Sequence, residues 1–238
     1  MLRSLFENNP GKGAKKRKKN FWLYSVGEFV LIFLGILIAL QVDNWNQDRQ
    51  ERKLEKVLLK EMLINLQSDL GDVEFNLNWH SQFLNSNEIV LEYLEGSDPW
   101  HDSLEIHFGH LTGGTVFNEN ISAYESLKSI GIDLISNDTL RQMITNLYSV
   151  RYDYILSVQQ IAHKHTTESL NPSISEHVYT IDFLDRAYPL DATGIKQSNS
   201  FRHTLKMNIL LLEYQLQSYN SAKTQIVNLI EEIEKELS

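Results

Sequence analysis

FWLYSVGEFVLIFLGILIALQV, from Phe21 to Val42, is the stretch that decides the fold, because it carries a single charged residue, Glu28. As an α-helix rising ~1.5 Å per residue it would be about 33 Å long, enough to cross the ~30 Å hydrocarbon core of a bilayer. Trp22 and Trp45 lie near its two ends, where aromatic rings favour the membrane–water interface. We therefore expect a transmembrane helix over residues 21–43.

Two other structures compete for a long apolar segment that follows basic residues. A cleavable signal peptide has the same order, but this apolar run is longer than the usual signal-peptide core and lacks a small-x-small cleavage site after it. A buried helix of a soluble protein is the second alternative. An uncleaved signal anchor fits the segment best.

Charge divides the chain into three parts. Residues 1–20 carry a net charge of +6 and the apolar stretch −1, whereas the remainder carries −14 of a total of −9. Cations collect on the cytoplasmic side of a membrane span. We therefore expect residues 1–20 to form a basic cytoplasmic tail and residues 44–238 to form an extracytoplasmic helical domain. The acidic domain offers no basic surface, so we expect no nucleic-acid partner.

One face of the apolar segment combines its carboxylate with small residues. At 100° per residue, six positions fall within about 40° of one line: Glu28, Ile32, Gly35, Ala39, Val42 and Asn46. A carboxylate in hydrocarbon costs about 2–3 kcal/mol unless it reaches the head groups, is protonated or is paired, and small residues allow a second helix to approach. We predict that this face packs on another transmembrane helix; the alternative is that Glu28 merely reaches the head groups.

The rest of the chain has the apolar spacing of long helices. Two runs keep a 4-3 spacing: Leu59, Leu63, Leu66, Leu70, Val73, Leu77, Leu84, Leu91 and Leu94, then Leu205, Ile209, Leu212, Leu216, Tyr219, Ile226, Ile230, Ile233 and Leu237. His80, Asn87 and Lys223 occupy core positions within these runs. A third run follows caps at Asn137 and Asp138 and comprises Leu140, Ile144, Leu147, Tyr148, Tyr154, Ile155, Val158 and Ile161.

Three such runs in one chain favour an intramolecular bundle over a coiled coil between chains. The predicted fold class is all-α: one N-terminal transmembrane helix followed by an antiparallel bundle of long helices. Glycine and proline predict interruptions at residues 96–120 and 171–199, and a short helix over 121–131 that ends at Gly131.

Motifs for catalysis and cofactor binding are absent from the sequence. It has no cysteine and no GxSxG, HExxH, Walker or dinucleotide-binding pattern. His101, His107 and His110 are the best metal candidates, because three imidazoles suit zinc or copper, but scattered histidines are common. Gly113-Gly114 suits a turn better than an anion-binding loop. We predict no catalytic, cofactor-binding or metal-binding residues.

Two motifs resemble an uncharacterised family of single-pass membrane proteins from Gram-negative bacteria. The first is GEFVLIFLGILIALQVDNWN, Gly27 to Asn46, with a Gly-Glu pair, a GILIALQ core and an Asn-Trp-Asn exit. The second is AYESLKS, Ala123 to Ser129, followed by Gly131 and a helix near Leu140. The resemblance implies a bacterial inner-membrane protein with a helical periplasmic part, and it implies no activity, substrate or cofactor.

These features predict a non-enzymatic, membrane-anchored interaction or scaffold module. Its expected partners are the lipid bilayer and either a second copy or another membrane protein, reached through the transmembrane helix. A periplasmic ligand-sensing domain that acts through a partner membrane protein is the alternative. An enzyme or metal-binding protein is the third possibility and depends on the histidine group alone.

Overall fold

The computed structural model describes the backbone of residues 11–238 and the side chains of Trp22 and residues 24–238. Residues 1–10 of the predicted basic tail lie outside this range. The helices are α1 (Gly11–Glu95), α2 (Glu105–Gly109), α3 (Ser122–Ile130), α4 (Asp138–Asn146), α5 (Asp153–His165), α6 (Asn171–His177), α7 (Gly194–Gln197) and α8 (Asn199–Leu237), and the strands are β1 (Val178–Asp182) and β2 (Arg186–Pro189). The all-α class is confirmed, with one small hairpin in the described residues.

The chain divides into two compact units, Met1–Leu54 and Glu55–Ser238. In the first unit, every residue from Tyr24 to Leu54 is exposed. Among the described residues, α1 is the one helix long and apolar enough to cross a membrane, and none of its apolar window is buried. This length and composition are compatible with a single-pass membrane anchor.

The second unit is a bundle of three long helices: residues 55–95 of α1, the joined helices α4 to α6, and α8. Ion pairs fix the direction of α8 against α1, because Lys206 Nζ lies 2.6 Å from Glu95 Oε1 and Lys223 Nζ lies 2.9 Å from Glu74 Oε1. The lower-numbered residue of α8 thus pairs with the higher-numbered residue of α1. The predicted antiparallel packing of these helices is confirmed.

The core of this unit has two apolar parts. The first surrounds Leu66, Tyr152 and Tyr219, and the second surrounds Val90 and Phe201. Between them lies a layer of buried polar side chains, namely His80, Asn87, Asn208, Gln215 and Ser218. The 4-3 spacing of α1 and α8 correctly predicts the faces that turn inward.

The third run is one helix interrupted by two π-helical segments, Leu147–Tyr152 and Thr166–Leu170. A π turn adds a residue to the turn and shifts the phase of everything after it. Of the members of the predicted run that follow the first π segment, Ile155 and Val158 are buried as predicted, whereas Tyr154 and Ile161 are exposed, and Tyr152 is buried although the run did not include it. The sequence prediction was wrong for Tyr154 and Ile161.

The second predicted interruption begins later than its proline indicates. The helix passes through Pro172 and continues to His177 as α6. Proline lacks an N–H and clashes with the carbonyl four residues earlier in a regular α-helix, and the π segment Thr166–Leu170 alters that geometry directly before it. The hairpin of β1 and β2 follows, with Tyr179 opposite Tyr188.

Shorter predictions about helix ends are confirmed. Helix α3 ends at Ile130 and is capped by Gly131, whose φ of 129° is unfavourable for residues with a Cβ. Helix α4 begins after Asn137, whose side-chain oxygen accepts hydrogen bonds from the backbone nitrogens of Thr139 and Leu140. Residues 96–120 contain only short helical turns and then an extended segment, as expected.

That extended part, residues 113–121, runs back along α1, and we call it the return segment. Among the described residues no strand pairs with it, and polar side chains of α1 bind it instead. The bonds are Thr115 Oγ1 to Asn76 Oδ1 (2.7 Å), Asn118 N to Asp72 Oδ2 (3.0 Å) and Asn120 N to Asp69 Oδ1 (2.9 Å). The polar face of α1 thus replaces a neighbouring strand.

Candidate functional site

A polar cleft of about 220 Å³ opens beside the layer that separates the two apolar parts of the core. Its walls come from four parts of the second unit: His80 of α1, residues 112–116, residues 159–166 of the joined helices α4 to α6, and Asn208, Leu212 and Gln215 of α8. Among the described residues that line it, none is Asp, Glu, Lys or Arg. The cleft is therefore polar but carries no fixed charge.

His80 is the distinctive group in this wall. Its side chain is 0% exposed, and its Nδ1 lies 2.9 Å from the carbonyl oxygen of Asn76. A carbonyl only accepts hydrogen bonds, so Nδ1 carries the proton and Nε2 presents a lone pair. Burial lowers the pKa of His80, which keeps the ring neutral. Nε2 has no hydrogen-bond partner among the described residues, although buried acceptors are almost always paired.

Aromatic rings hold His80 in place. The rings of Tyr219 and Phe83 contact it edge to face, with centroids 5.2 Å and 6.4 Å away. Thr115 Oγ1 lies 3.3 Å from Nδ1 while it donates to Asn76, so the return segment also supports the ring. These contacts fix the imidazole, and the described residues leave its buried Nε2 without a hydrogen-bond partner.

The two adjacent glycines of the return segment have different surroundings. A Cβ on Gly113 would overlap the Phe83 ring, so this glycine allows the segment to pack closely on α1. A Cβ on Gly114 would meet no heavy atom within 4 Å. Gly113 thus has a packing role, whereas Gly114 lines the cleft with free space beside it.

A second polar constellation surrounds Asp69, at the first π segment. Its carboxylate is buried and accepts hydrogen bonds from the Tyr152 hydroxyl (2.7 Å), the Asn120 backbone nitrogen (2.9 Å) and Asn120 Nδ2 (2.6 Å). Burial raises the pKa of Asp69, and these hydrogen bonds oppose the rise. The group is enclosed and fully bonded, which indicates a structural role.

The candidate metal ligands separate into two places. His107 Nδ1 and His110 Nδ1 each lie 3.1 Å from Ser86 Oγ, and burial, followed by the charge of His110, lowers the pKa of His107. His101 instead caps the turn at Asp102–Leu104, where it contacts Ser103. In the described part of the chain, no three His, Cys, Asp or Glu side chains are placed to hold a metal ion.

The predicted packing face of the first unit lies along α1. Its members Glu28, Ile32, Gly35, Ala39, Val42 and Asn46 are all exposed. A Cβ on Gly35 would meet nothing within 4 Å. The face is thus uncovered by the described chain, and its packing on a second helix stays a prediction.

Sequence reasoning identified His80 only as a polar interruption of the core and missed the cleft. One signal could have found it, because polar residues on α1 recur at nearly the same 4-3 spacing as its leucines: Asn65, Asp69, Asp72, Asn76 and His80. Such a polar stripe beside an apolar one indicates that a polar element packs there. Gln159 and Gln215 lie far from it in sequence and carry no such signal.

Comparison with known proteins gives one match. Residues 28–182, more than half of the chain, match the sequence profile of a family described as a family of unknown function, DUF6090. No curated protein and no solved structure matches the chain. The matched range includes part of the apolar segment, His80 and the return segment, and it ends in β1.

Proposed function

Because the chain belongs to DUF6090, a family of unknown function, we propose its role from its own geometry: a non-enzymatic, membrane-anchored helical interaction or scaffold module. The observation that carries this proposal is that every described side chain of the apolar segment is exposed. A helix in the core of a soluble domain buries its apolar face, whereas this one has no cover within the described residues. A bilayer would supply the cover that the chain lacks.

The proposed topology places the N-terminus in the cytoplasm and Glu55–Ser238 in the periplasm of a bacterial inner membrane. The support is the excess of Lys and Arg before the apolar segment. The chain has no cysteine, so single cysteines can report on each side. We expect a Ser238→Cys variant to react with a membrane-impermeant maleimide in spheroplasts, and a Ser4→Cys variant to react only after lysis.

Membrane anchoring itself is tested by extraction at alkaline pH. We expect the full-length protein to stay in the membrane pellet and to leave it only with detergent. Release at alkaline pH without detergent would contradict anchoring. Removal of the apolar segment from the mature protein, measured by intact mass, would instead establish a cleaved signal peptide.

The proposed interaction surface in the membrane is the face that contains Glu28 and Gly35. Cysteines introduced at Ile32, Gly35 and Ala39 should crosslink to a second copy or to a partner protein more efficiently than cysteines at Val30 and Leu37, on the opposite side of the helix. Equal crosslinking at all five positions would contradict a specific face.

Ligand sensing by the second unit is the second candidate function, and the polar cleft favours it. A neutral imidazole with an unpaired, buried acceptor is the feature expected of a binding site rather than of a packed core. The apolar segment would then couple the unit to a partner membrane protein. A panel of small metabolites should contain a compound that raises the thermal unfolding temperature of the full-length protein.

A further inference from the structure

His80, which lines the cleft, carries an acceptor that the described residues do not satisfy. Nε2 of His80 is buried and without a hydrogen-bond partner in the described residues, while Nδ1 is held by Asn76. Leaving such an acceptor unpaired disfavours folding. The group that pairs with it must therefore carry an N–H or O–H and must come from outside the described chain.

Charge narrows the class of ligand. No Asp, Glu, Lys or Arg is among the described residues that line the cleft, so a charged ligand would lose its hydration without gaining a permanently charged counter-ion. The other polar side chains include the neutral Thr112 and Thr115 hydroxyls and the Gln159 and Gln215 amides, together with the imidazole of His163. Hydroxyl groups suit this wall best, because each one can donate and accept at the same position.

The volume of the cleft narrows the class of ligand further. A volume of about 220 Å³ lies below the range of about 300–1,000 Å³ that is usual for drug-sized ligands. Backbone at Gly114 leaves one wall without a side chain. A compact molecule with several hydroxyl groups fits these dimensions.

We propose that the cleft binds a small, uncharged polyol of about monosaccharide size, one hydroxyl of which donates a hydrogen bond to His80 Nε2. This inference rests on the second candidate function, ligand sensing, and gives that function a ligand class. It does not depend on membrane anchoring, since the cleft lies wholly within the Glu55–Ser238 unit.

The test is titration calorimetry on the full-length protein with four neutral probes: glycerol, myo-inositol, D-glucose and D-galactose. The protein is kept in a polyoxyethylene detergent, because the head groups of maltoside detergents are themselves polyols. D-galacturonate and D-glucosamine serve as probes of similar shape that carry one negative or one positive charge. We expect at least one neutral probe to bind, and both charged sugars to bind about tenfold more weakly than that probe or not at all.

Two variants link binding to this cleft. His80→Phe keeps an aromatic ring between Tyr219 and Phe83 but removes the acceptor, and we expect affinity to fall about tenfold. Gly114→Leu places a side chain in the free space at the cleft wall and should weaken binding at least as much. Gly71→Leu is the matched control, since a Cβ there also meets nothing within 4 Å and Gly71 lies outside the cleft.

Each outcome decides the inference. Binding of a neutral probe that is lost in His80→Phe and Gly114→Leu, but kept in Gly71→Leu, supports it. Absence of binding by all four neutral probes to folded wild-type protein overturns it and leaves an ordered water as the partner of Nε2. Equal or tighter binding of a charged probe overturns the ligand class while ligand sensing stands. Binding that persists in both cleft variants overturns the site.

Discussion

Asp69 and His80 lie on the same helix, and both are completely buried, but their surroundings differ. The carboxylate of Asp69 accepts three short hydrogen bonds from Tyr152 and Asn120. The imidazole of His80 is bonded through Nδ1, and its Nε2 is left without a partner among the described residues. A buried polar group whose hydrogen bonds are all made stabilises the fold. A buried group with an unpaired acceptor beside a cleft can instead bind a ligand.

Removing the fully hydrogen-bonded carboxylate of Asp69 should lower the free energy of unfolding more than any other change considered below. Asp69→Ala leaves the Tyr152 hydroxyl and the Asn120 nitrogens without their acceptor in a buried site, so we expect the free energy of unfolding to fall by about 3 kcal/mol. Urea unfolding followed by near-ultraviolet circular dichroism measures this value. Asp133→Ala is the control, because that side chain is 93% exposed, and its effect should stay within about 0.5 kcal/mol.

Tyr148 and Tyr152 lie in one π segment, and they allow a hydrogen-bonded hydroxyl to be compared with one that has no partner among the described residues. Tyr152→Phe removes a donor from the Asp69 carboxylate and should cost about 2 kcal/mol of unfolding free energy. The hydroxyl of Tyr148 is buried and has no partner in the described residues. Tyr148→Phe should therefore leave stability unchanged or raise it slightly. Equal losses in the two variants would contradict the assignment of Tyr152 to the Asp69 network.

How far the sequence predicts this contrast depends on the kind of signal. Apolar residues at a 4-3 spacing predict α1 and α8 and the faces that they bury, because burial follows helical periodicity. After Leu147 the spacing is correct for Ile155 and Val158 but wrong for Tyr154, which lies just after the π segment Leu147–Tyr152 and is exposed. The spacing of apolar residues does not show where a π turn adds a residue to the helix, so only the three-dimensional structure reveals it.

The cleft was less predictable than the helices. Its walls join residues from four separate segments, and only His80 stood out, as a polar residue at a core position. The Gly113-Gly114 pair was predicted as a turn, yet Gly113 is needed for close packing on Phe83 and Gly114 for an open wall. These roles depend on which side chain faces each glycine, which one sequence does not encode locally.

Acidification should change the contributions of His80 and Asp69 to the free energy of unfolding in opposite directions. The folded-state pKa of His80 is lowered, so below its unfolded value of about 6.5 the unfolded chain takes up a proton that the folded chain refuses. His80 thus contributes stability at neutral pH that is lost as the pH falls through its folded pKa. We expect His80→Phe to lose less unfolding free energy than wild type between pH 7 and pH 5.

For Asp69 the sign is reversed. Its folded pKa is raised, so as the pH falls toward the unfolded value of about 3.9 the folded state binds the proton first and gains stability. Asp69→Asn removes that gain. The stability of wild type relative to Asp69→Asn should therefore be greater at pH 4 than at pH 7, and a relative stability that falls on acidification would contradict a raised pKa of Asp69 in the folded state.

The smallest effect is expected where a polar residue at a core position escapes burial. The spacing of α8 places Lys223 in line with its buried residues, but its side chain is 42% exposed and pairs with Glu74 at 2.9 Å. A solvated ion pair of this kind contributes little, and the lysine stem already covers apolar surface that methionine would cover equally. Lys223→Met should therefore change the free energy of unfolding by no more than about 0.5 kcal/mol. A loss as large as that of Tyr152→Phe would mean that the Lys223–Glu74 pair fixes the register of α8 against α1. An exposed ion pair would then stabilise the fold as much as a buried hydrogen bond does.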